Sequence, residues 1–416
     1  MRAVIVTALL LMLAPGVLFA QAQAQDETAQ RLKALEERIR LLEDEIRTLK
    51  EAQALPSAPP PATATLSSSL AEAAPTPVPA QTQAGGVIGG APANAKLLNP
   101  DISMIGDFIA TAGGNPFNPG PALEFHEAEL GVQAVIDPYA KGDFFLSFGE
   151  EGVELEEGYI TFTGLPKGFV ARVGKMRSAF GVVNTLHNHT LPWIDRPLVT
   201  ENLVGGEDGI NDAGFSINRI LPAPKGIFLE ATGQVFRGDS ADVFQSHQRS
   251  DLSYVGRLRG YKDLTEATNL DIGLSYARGH NDVGTNFLTQ LFGTDVTLRW
   301  KPLRRAVYHS FLWRSEFVWS ERQQLPTTQR AFGFYSAADY RLNRRWTVGG
   351  RFDRSDRARK ENLTDNGFSA VLTYWPSEFS QIRTQYRFTR FGEGKDANEL
   401  KVQLLFSLGA HGAHPF

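Results

Sequence analysis

Between residues 102 and 410 the chain repeatedly alternates apolar and polar positions with a period of two, the mark of strands with one oily and one polar face. In the last such run Val402, Leu404, Phe406 and Leu408 take the even positions, with Lys401, Gln403 and Ser407 among the odd ones. Carried on by twos, the pattern brings the terminal Phe416 to the oily face. Runs of this kind predict strands over 102–112, 124–136, 141–149, 156–164, 169–180, 213–220, 226–237, 252–262, 270–279, 291–300, 307–320, 332–340, 346–354, 366–375, 381–391 and 398–410. The count is sixteen, an even number.

The connections sort into two kinds. After odd-numbered strands they tend to be long, as in "GGNPFNPGPAL", residues 181–212, "GDSADVFQSHQRS" and "HNDVGTNFLTQ". After even-numbered strands they are mostly tight, as in "DPYA", "LPKG" and "RLNRR". Such alternation characterises an up-and-down barrel in an outer membrane, with long loops outside the cell and short turns facing the periplasm. Strand number then decides which face is oily. About eight strands enclose an interior that side chains fill, whereas about sixteen leave a water-filled channel. Apolar residues turned inward would line an unfilled hole, so they are expected to meet lipid and leave the polar set to the lumen.

Most strands agree. Glu127, Glu129 and Gln133, Asp295 and Thr297, and Gln385 fall on the expected lumen face, with Phe292, Val296, Leu298, Phe311, Trp313 and Phe317 opposite. The expected lumen arginines are Arg257, Arg259, Arg299, Arg314, Arg351, Arg383 and Arg387. Trp300, Trp346 and Trp375 lie near tight turns, where an interfacial aromatic girdle belongs. Strand 169–180 does not sort, because Arg172 and Lys175 fall on opposite faces. The predicted fold class is an all-β transmembrane barrel of about sixteen antiparallel strands, preceded by a short helical coiled coil and a Pro/Ala-rich linker. A pair of soluble sandwiches would need separate explanations for the loop alternation and the aromatic terminus.

The segment before the strands has its own organisation. Met1-Arg2, the apolar run "AVIVTALLLMLAPGVLFA" and "QAQAQ" make a secretory signal peptide over residues 1–24. Residues 25–51 place Leu32, Leu35, Ile39, Leu42, Ile46 and Leu49 at alternating steps of three and four, the seam of a short coiled coil. Residues 52–98, rich in Ala, Pro, Ser and Thr, bury too little apolar area to order and form a linker. Residues 99–416 are the barrel domain. A net charge of −4 gives no reason to expect a nucleic-acid partner, and the absence of cysteine removes disulfides and thiolate metal sites.

Signal, short coil, linker, the opening strand "NPDISMIGDFIATAGG", the stretch "RVGKMRSAFG" and a barrel ending in Phe together resemble the phosphate-selective porin O and P family. The resemblance implies outer-membrane diffusion channels assembled as homotrimers, with the coil in the periplasm and the third external loop folded inward to narrow each pore. Position in that loop makes His187, His189, Asp195, Arg196, Glu201, Glu207 and Asp208 the candidate constriction. A final strand alternating to a terminal Phe resembles the signal that barrel-assembly machinery recognises, which assigns that role to Phe416. Phosphate selectivity carries over poorly, since residues 181–212 hold Asp195, Glu201, Glu207, Asp208 and Asp212 against Arg196. Charge rings set ion preference, and a mixed lumen with a slight preference for cations is expected.

No cofactor and no catalytic site is expected. His187 and His189 put two imidazoles on one side of an extended segment, and Asp195 or Glu201 would have to complete a metal set. Hydrogen-bonded loop histidines are the favoured reading, so no metal is assigned. No Ser and His spacing supports a hydrolase. The alternative to a channel is a structural tether with the barrel as its anchor, but no wall-binding module is visible between residues 52 and 98.

Overall fold

The period-two segments form strands that pair in sequence order. The computed structural model describes residues 100–409, apart from Glu151 and Ala241. The segments assigned above to signal peptide, coil and linker, and Phe416, lie outside the described residues. The strands are β1 (Asp101–Gly114), β2 (Leu123–Asp137), β3 (Ala140–Gly149), β4 (Gly152–Phe162), β5 (Phe169–Arg177), β6 (Asn211–Leu221), β7 (Ile227–Phe236) and β8 (Ser253–Thr265). They continue with β9 (Thr268–Asn281), β10 (Gly284–Trp300), β11 (Ser310–Arg322), β12 (Gln329–Arg341), β13 (Trp346–Asp356), β14 (Thr364–Ser377), β15 (Ser380–Arg390) and β16 (Asp396–Gly409). Each is antiparallel to its sequence neighbours, and β1 closes on β16 with Ser103 opposite Gly409. The ring leaves no sheet edge among the described residues.

The two faces divide as the alternation requires. On β14, Phe368 is 50% exposed on the outer face while its neighbour Ser369 is fully buried on the inner one. Phe292, Trp319, Phe352, Leu372 and Leu404 are likewise exposed outside, and Asp295, Arg351, Asp353, Gln385 and Gln403 are buried inside. Trp346 packs on Tyr374 at the rim of tight turns, with ring centroids 4.6 Å apart.

Three expectations need correction. The long-short rule fails at β3–β4 and β9–β10, where residues 150–151 and 282–283 are the whole connections. There the hairpins run on through stretches such as "GTNFLTQ", whose apolar residues Phe287 and Leu288 are adjacent and give no alternation signal; conversely the β10–β11 turn spans residues 301–309. The inner face is not uniformly polar either. Val255, Ala277, Leu291, Val318, Ala331, Tyr335 and Ala337 are buried together and form one cluster with residues of the β5–β6 connection. Finally, β5 ends at Arg177 rather than residue 180. Within it the Arg172 guanidinium lies over the Tyr159 ring at 5.1 Å, while Lys175 Nζ donates to the Leu155 carbonyl at 2.6 Å and to Glu154.

Candidate functional site

The β5–β6 connection, residues 178–210, folds back into the ring and crosses it. Its neck is shut by Ser178 N–H donating to Ile210 O at 2.8 Å. Asn184 fastens the same point, giving its amide to Ser178 O and Ile210 O and accepting from Ile210 N–H at 2.8 Å. The chain enters through Gly181 at φ 62°, a left-handed conformation that costs an L side chain about 1–2 kcal/mol. A methyl group here would also collide with the Glu316 carboxylate of β11.

From that point the loop is tied to the wall at several places. Glu316 Oε1 accepts from Val182 N–H at 3.0 Å, Val183 N–H at 2.8 Å and the Tyr335 hydroxyl at 3.0 Å. Arg257 donates to Gly181 O at 2.7 Å and pairs with Asp295. On β13 and β15, Arg351 donates to the Asp195 carbonyl and to Asp195 Oδ1, both at 2.8 Å; Arg387 also pairs with Asp195. Gln385 accepts from Ile194 N–H at 2.8 Å, and Arg383 donates to Trp193 O at 3.1 Å. Trp193 is fully buried between the Arg351 guanidinium, 4.7 Å above its ring, and Tyr335. Phe180, Val183, Leu191, Val199, Leu203, Val204 and Ile210 seat on the apolar inner cluster. Apolar burial of about 25 cal/mol per Å² and charge-assisted hydrogen bonds together hold the loop as an ordered element.

The opposite side of the loop meets an acidic wall. Two β-bulges build that wall. Asp107 pairs with Glu127 but Phe108 with Phe125, which makes His126 the extra residue; Phe145 pairs with Glu157 but Leu146 with Leu155, which makes Glu156 the extra one. A bulge re-aims consecutive side chains to one side, and here Glu156 and Glu157 both reach His187. His187 Nδ1 lies 2.6 Å from Glu129 Oε2 and 3.0 Å from Glu156 Oε2, and its Nε2 lies 2.8 Å from Glu157 Oε2. His189 Nδ1 stands 3.5 Å from Glu127 Oε1 and 3.6 Å from Glu129 Oε2. Burial alone would lower the His187 pKa, but its bonds to the three carboxylates outweigh that and raise it well above the ordinary imidazole value. Burial would raise the Asp195 carboxyl, yet Arg387 and then Arg351 hold it well below the carboxylate range.

The candidate residues thus occupy different environments. His187, His189 and Asp195 anchor the loop to opposite walls. Arg196 is buried inside the loop, donating to Asn188 Oδ1, Val183 O and Leu186 O at 2.7–3.0 Å. The carbonyls of Glu207 and Asp208 accept from Arg177, while the Glu207 carboxylate is open and 3.6 Å from His126. Glu201 lines a cavity of about 220 Å³ with Arg322, Arg357 and Arg359. Of the seven wall arginines, Arg257, Arg351, Arg383 and Arg387 bond to the loop. Arg259 pairs with Asp271 at 2.5 Å, Arg299 lies 3.8 Å from the same carboxylate, and Arg314 Nε and Nη1 have no hydrogen-bond partner among the described residues.

No family model matches the chain. An uncharacterised protein of Aquifex aeolicus (strain VF5) is 28% identical, with 78% of this chain and 81% of that protein covered. Among solved structures, a loop-L8 deletion mutant of OmpT, an outer membrane protein of Vibrio cholerae, aligns with a TM-score of 0.53 at 9% identity, covering 74% of this chain and 99% of that one. The outer membrane channel DcaP of Acinetobacter baumannii aligns at 0.51 with 13% identity, covering 74% and 96%. At these identities the likeness is one of fold: the closed sixteen-stranded barrel is the fold of outer-membrane porins.

Proposed function

We propose that the chain is an outer-membrane porin, a passive diffusion channel for small polar or charged solutes, constricted by residues 178–210. The observation that carries this reading is the division of one closed ring into an exposed apolar outer face and a charged inner face crossed by an ordered loop. Hydrocarbon accepts such an outer face because every strand hydrogen bond is made within the ring. The fold likeness to DcaP, described as an outer membrane channel, supports the same reading.

Charge refines it. Asp271 and Asp295 pair with Arg259 and Arg257, and Asp195 engages Arg351 and Arg387, so few of the lumen arginines remain to bind a passing anion. Transport with a weak cation preference follows better from this than phosphate selection. Assembly as a homotrimer, registered by the coil expected over residues 25–51 on the periplasmic side, and insertion by barrel-assembly machinery through Phe416 complete the proposal. Vesicles carrying the purified protein should swell in iso-osmotic solutions of small sugars and salts, with rates falling steeply as solute size grows. Protein-containing vesicles that exclude even the smallest of these solutes would overturn it.

A further inference from the structure

We propose that His187, His189, Glu127 and Glu129 form a binding site for a zinc-class divalent cation that staples the lumen loop to β2. The inference concerns the loop's attachment and stands whether or not the barrel conducts. Ligand atoms of Glu129, His187 and His189 lie within 4.8 Å of one another, and all three residues are buried. In a tetrahedral site with bonds of about 2.0–2.2 Å, neighbouring ligand atoms stand roughly 3.4 Å apart. The 3.6 Å separation from His189 Nδ1 to Glu129 matches that spacing. Glu127, 3.5 Å from His189 but outside that three-residue group and beside Asp107 and His126, would have to close in to supply the fourth ligand.

A second observation points to the same centre. Glu127 is 5% exposed, and its Oε1, the atom nearest His189, accepts no hydrogen bond. A buried carboxylate oxygen left in this state is costly unless a cation meets it. Around it Glu129, Glu156 and Glu157 add three more carboxylates, with Arg177 Nη2 3.5 Å from Glu156. His187 also carries a supporting shell: with Nε2–H donating to Glu157 at 2.8 Å, Nδ1 faces Glu129 and Glu156. That carboxylate–imidazole relay is the arrangement that orients a metal-bound histidine. Binding requires Nδ1 to give up any proton it shares with Glu129 and to widen their 2.6 Å contact to a ligand–ligand distance. Imidazoles mixed with carboxylates select zinc and its neighbours over calcium or magnesium, which favour all-oxygen shells.

The test uses the full, untagged chain in detergent, stripped with a chelator and dialysed against Zn²⁺ or Co²⁺. One tightly held ion per chain is expected, with Co²⁺ giving visible bands of imidazole and carboxylate ligation. The His187→Ala/His189→Ala variant should lose that ion, Glu127→Gln should bind about 10–100-fold more weakly, and His247→Ala, remote from the cluster, should bind as the wild type does. Should the double variant lose the barrel's heat-dependent gel mobility, His189→Asn, which keeps the His187 ion pairs, replaces it. No stoichiometric uptake by the wild-type chain, or unchanged uptake by the folded histidine variant, overturns the site.

Discussion

Arg351 of β13 holds Asp195 at the far side of the lumen by two bonds, one to the carbonyl and one to the carboxylate, both 2.8 Å long. The same guanidinium covers Trp193 and donates to Asp353 Oδ2 at 2.7 Å, so one cation fixes loop, aromatic anchor and wall together.

Arg351→Ala therefore removes more than one contact. It leaves Asp353, itself fully buried, without its charge partner, and loss of one member of a buried pair costs about 3–5 kcal/mol. Urea unfolding in detergent should register that loss, and single-channel recordings should show larger, noisier current steps as the loop loosens. Wild-type stability with wild-type steps would mean that this contact does not hold the loop.

Asp195→Asn keeps the side chain's shape and removes its charge. Arg351 keeps Asp353, but Arg387 loses its carboxylate partner and presents an uncompensated cation to the lumen, so the reversal potential in a salt gradient should move towards anion preference. An unchanged reversal potential would place Asp195 outside the conducting path.

The pH response follows from the sign of the Asp195 shift. Its docked carboxyl is held below its ordinary value by Arg387 and Arg351, against the opposing effect of burial. Such a group contributes fully above the undocked pKa, and its contribution disappears only as pH falls through the depressed, docked one. Loop docking through this contact should thus persist from neutral pH down to about pH 4, the ordinary aspartate range. Protease susceptibility of residues 178–210, assayed by a pulse of a protease active across this range and normalised at each pH to cleavage of the unfolded chain, should stay flat over that interval; a rise centred between pH 7 and 5 would contradict it.

Gly181→Ala adds a methyl group at a φ of 62° and drives it into the Glu316 carboxylate. The backbone term alone is about 1–2 kcal/mol, and the displaced carboxylate gives up the Val182 and Val183 amides it accepts from. Cleavage within residues 178–210 should accelerate while the barrel itself stays folded. Equal cleavage rates would show that the neck tolerates the side chain.

Leu372→Arg tests the outer face. Leu372 is exposed near the middle of β14, and arginine facing lipid at the midplane costs about 2–4 kcal/mol. Unfolding of the vesicle-inserted protein should show that loss. The same substitution without effect would mean that water, not hydrocarbon, covers this face.

The ring was legible in the sequence because each strand's period of two states its own two faces, as Leu404 and Phe406 do against Gln403. The extra length of β10 was not, since in Gly284–Gln290 the two apolar residues, Phe287 and Leu288, are adjacent and the rest are small or polar, so nothing alternates. Loop position pointed to His187 and His189, and alternation put Glu127 and Glu129 in the lumen, but nothing local joined the two sets. Their meeting depends on strands far apart in sequence and on bulges at His126 and Glu156, which a count by twos skips. The apolar seat under Trp193 was missed for a related reason: Val255, Leu291 and Val318 lie inside the ring, where a purely polar lining was expected.

Planar-bilayer recording of the purified full-length protein tests the central claim most directly, because a closed ring with lipid outside and water within gives unitary currents, which a barrel filled by its own side chains does not. Discrete steps are predicted, growing with salt concentration and larger when residues 184–209 are replaced by a short glycine-serine turn. A folded, membrane-inserted protein that gives no steps at any salt concentration, with or without the loop, would contradict it.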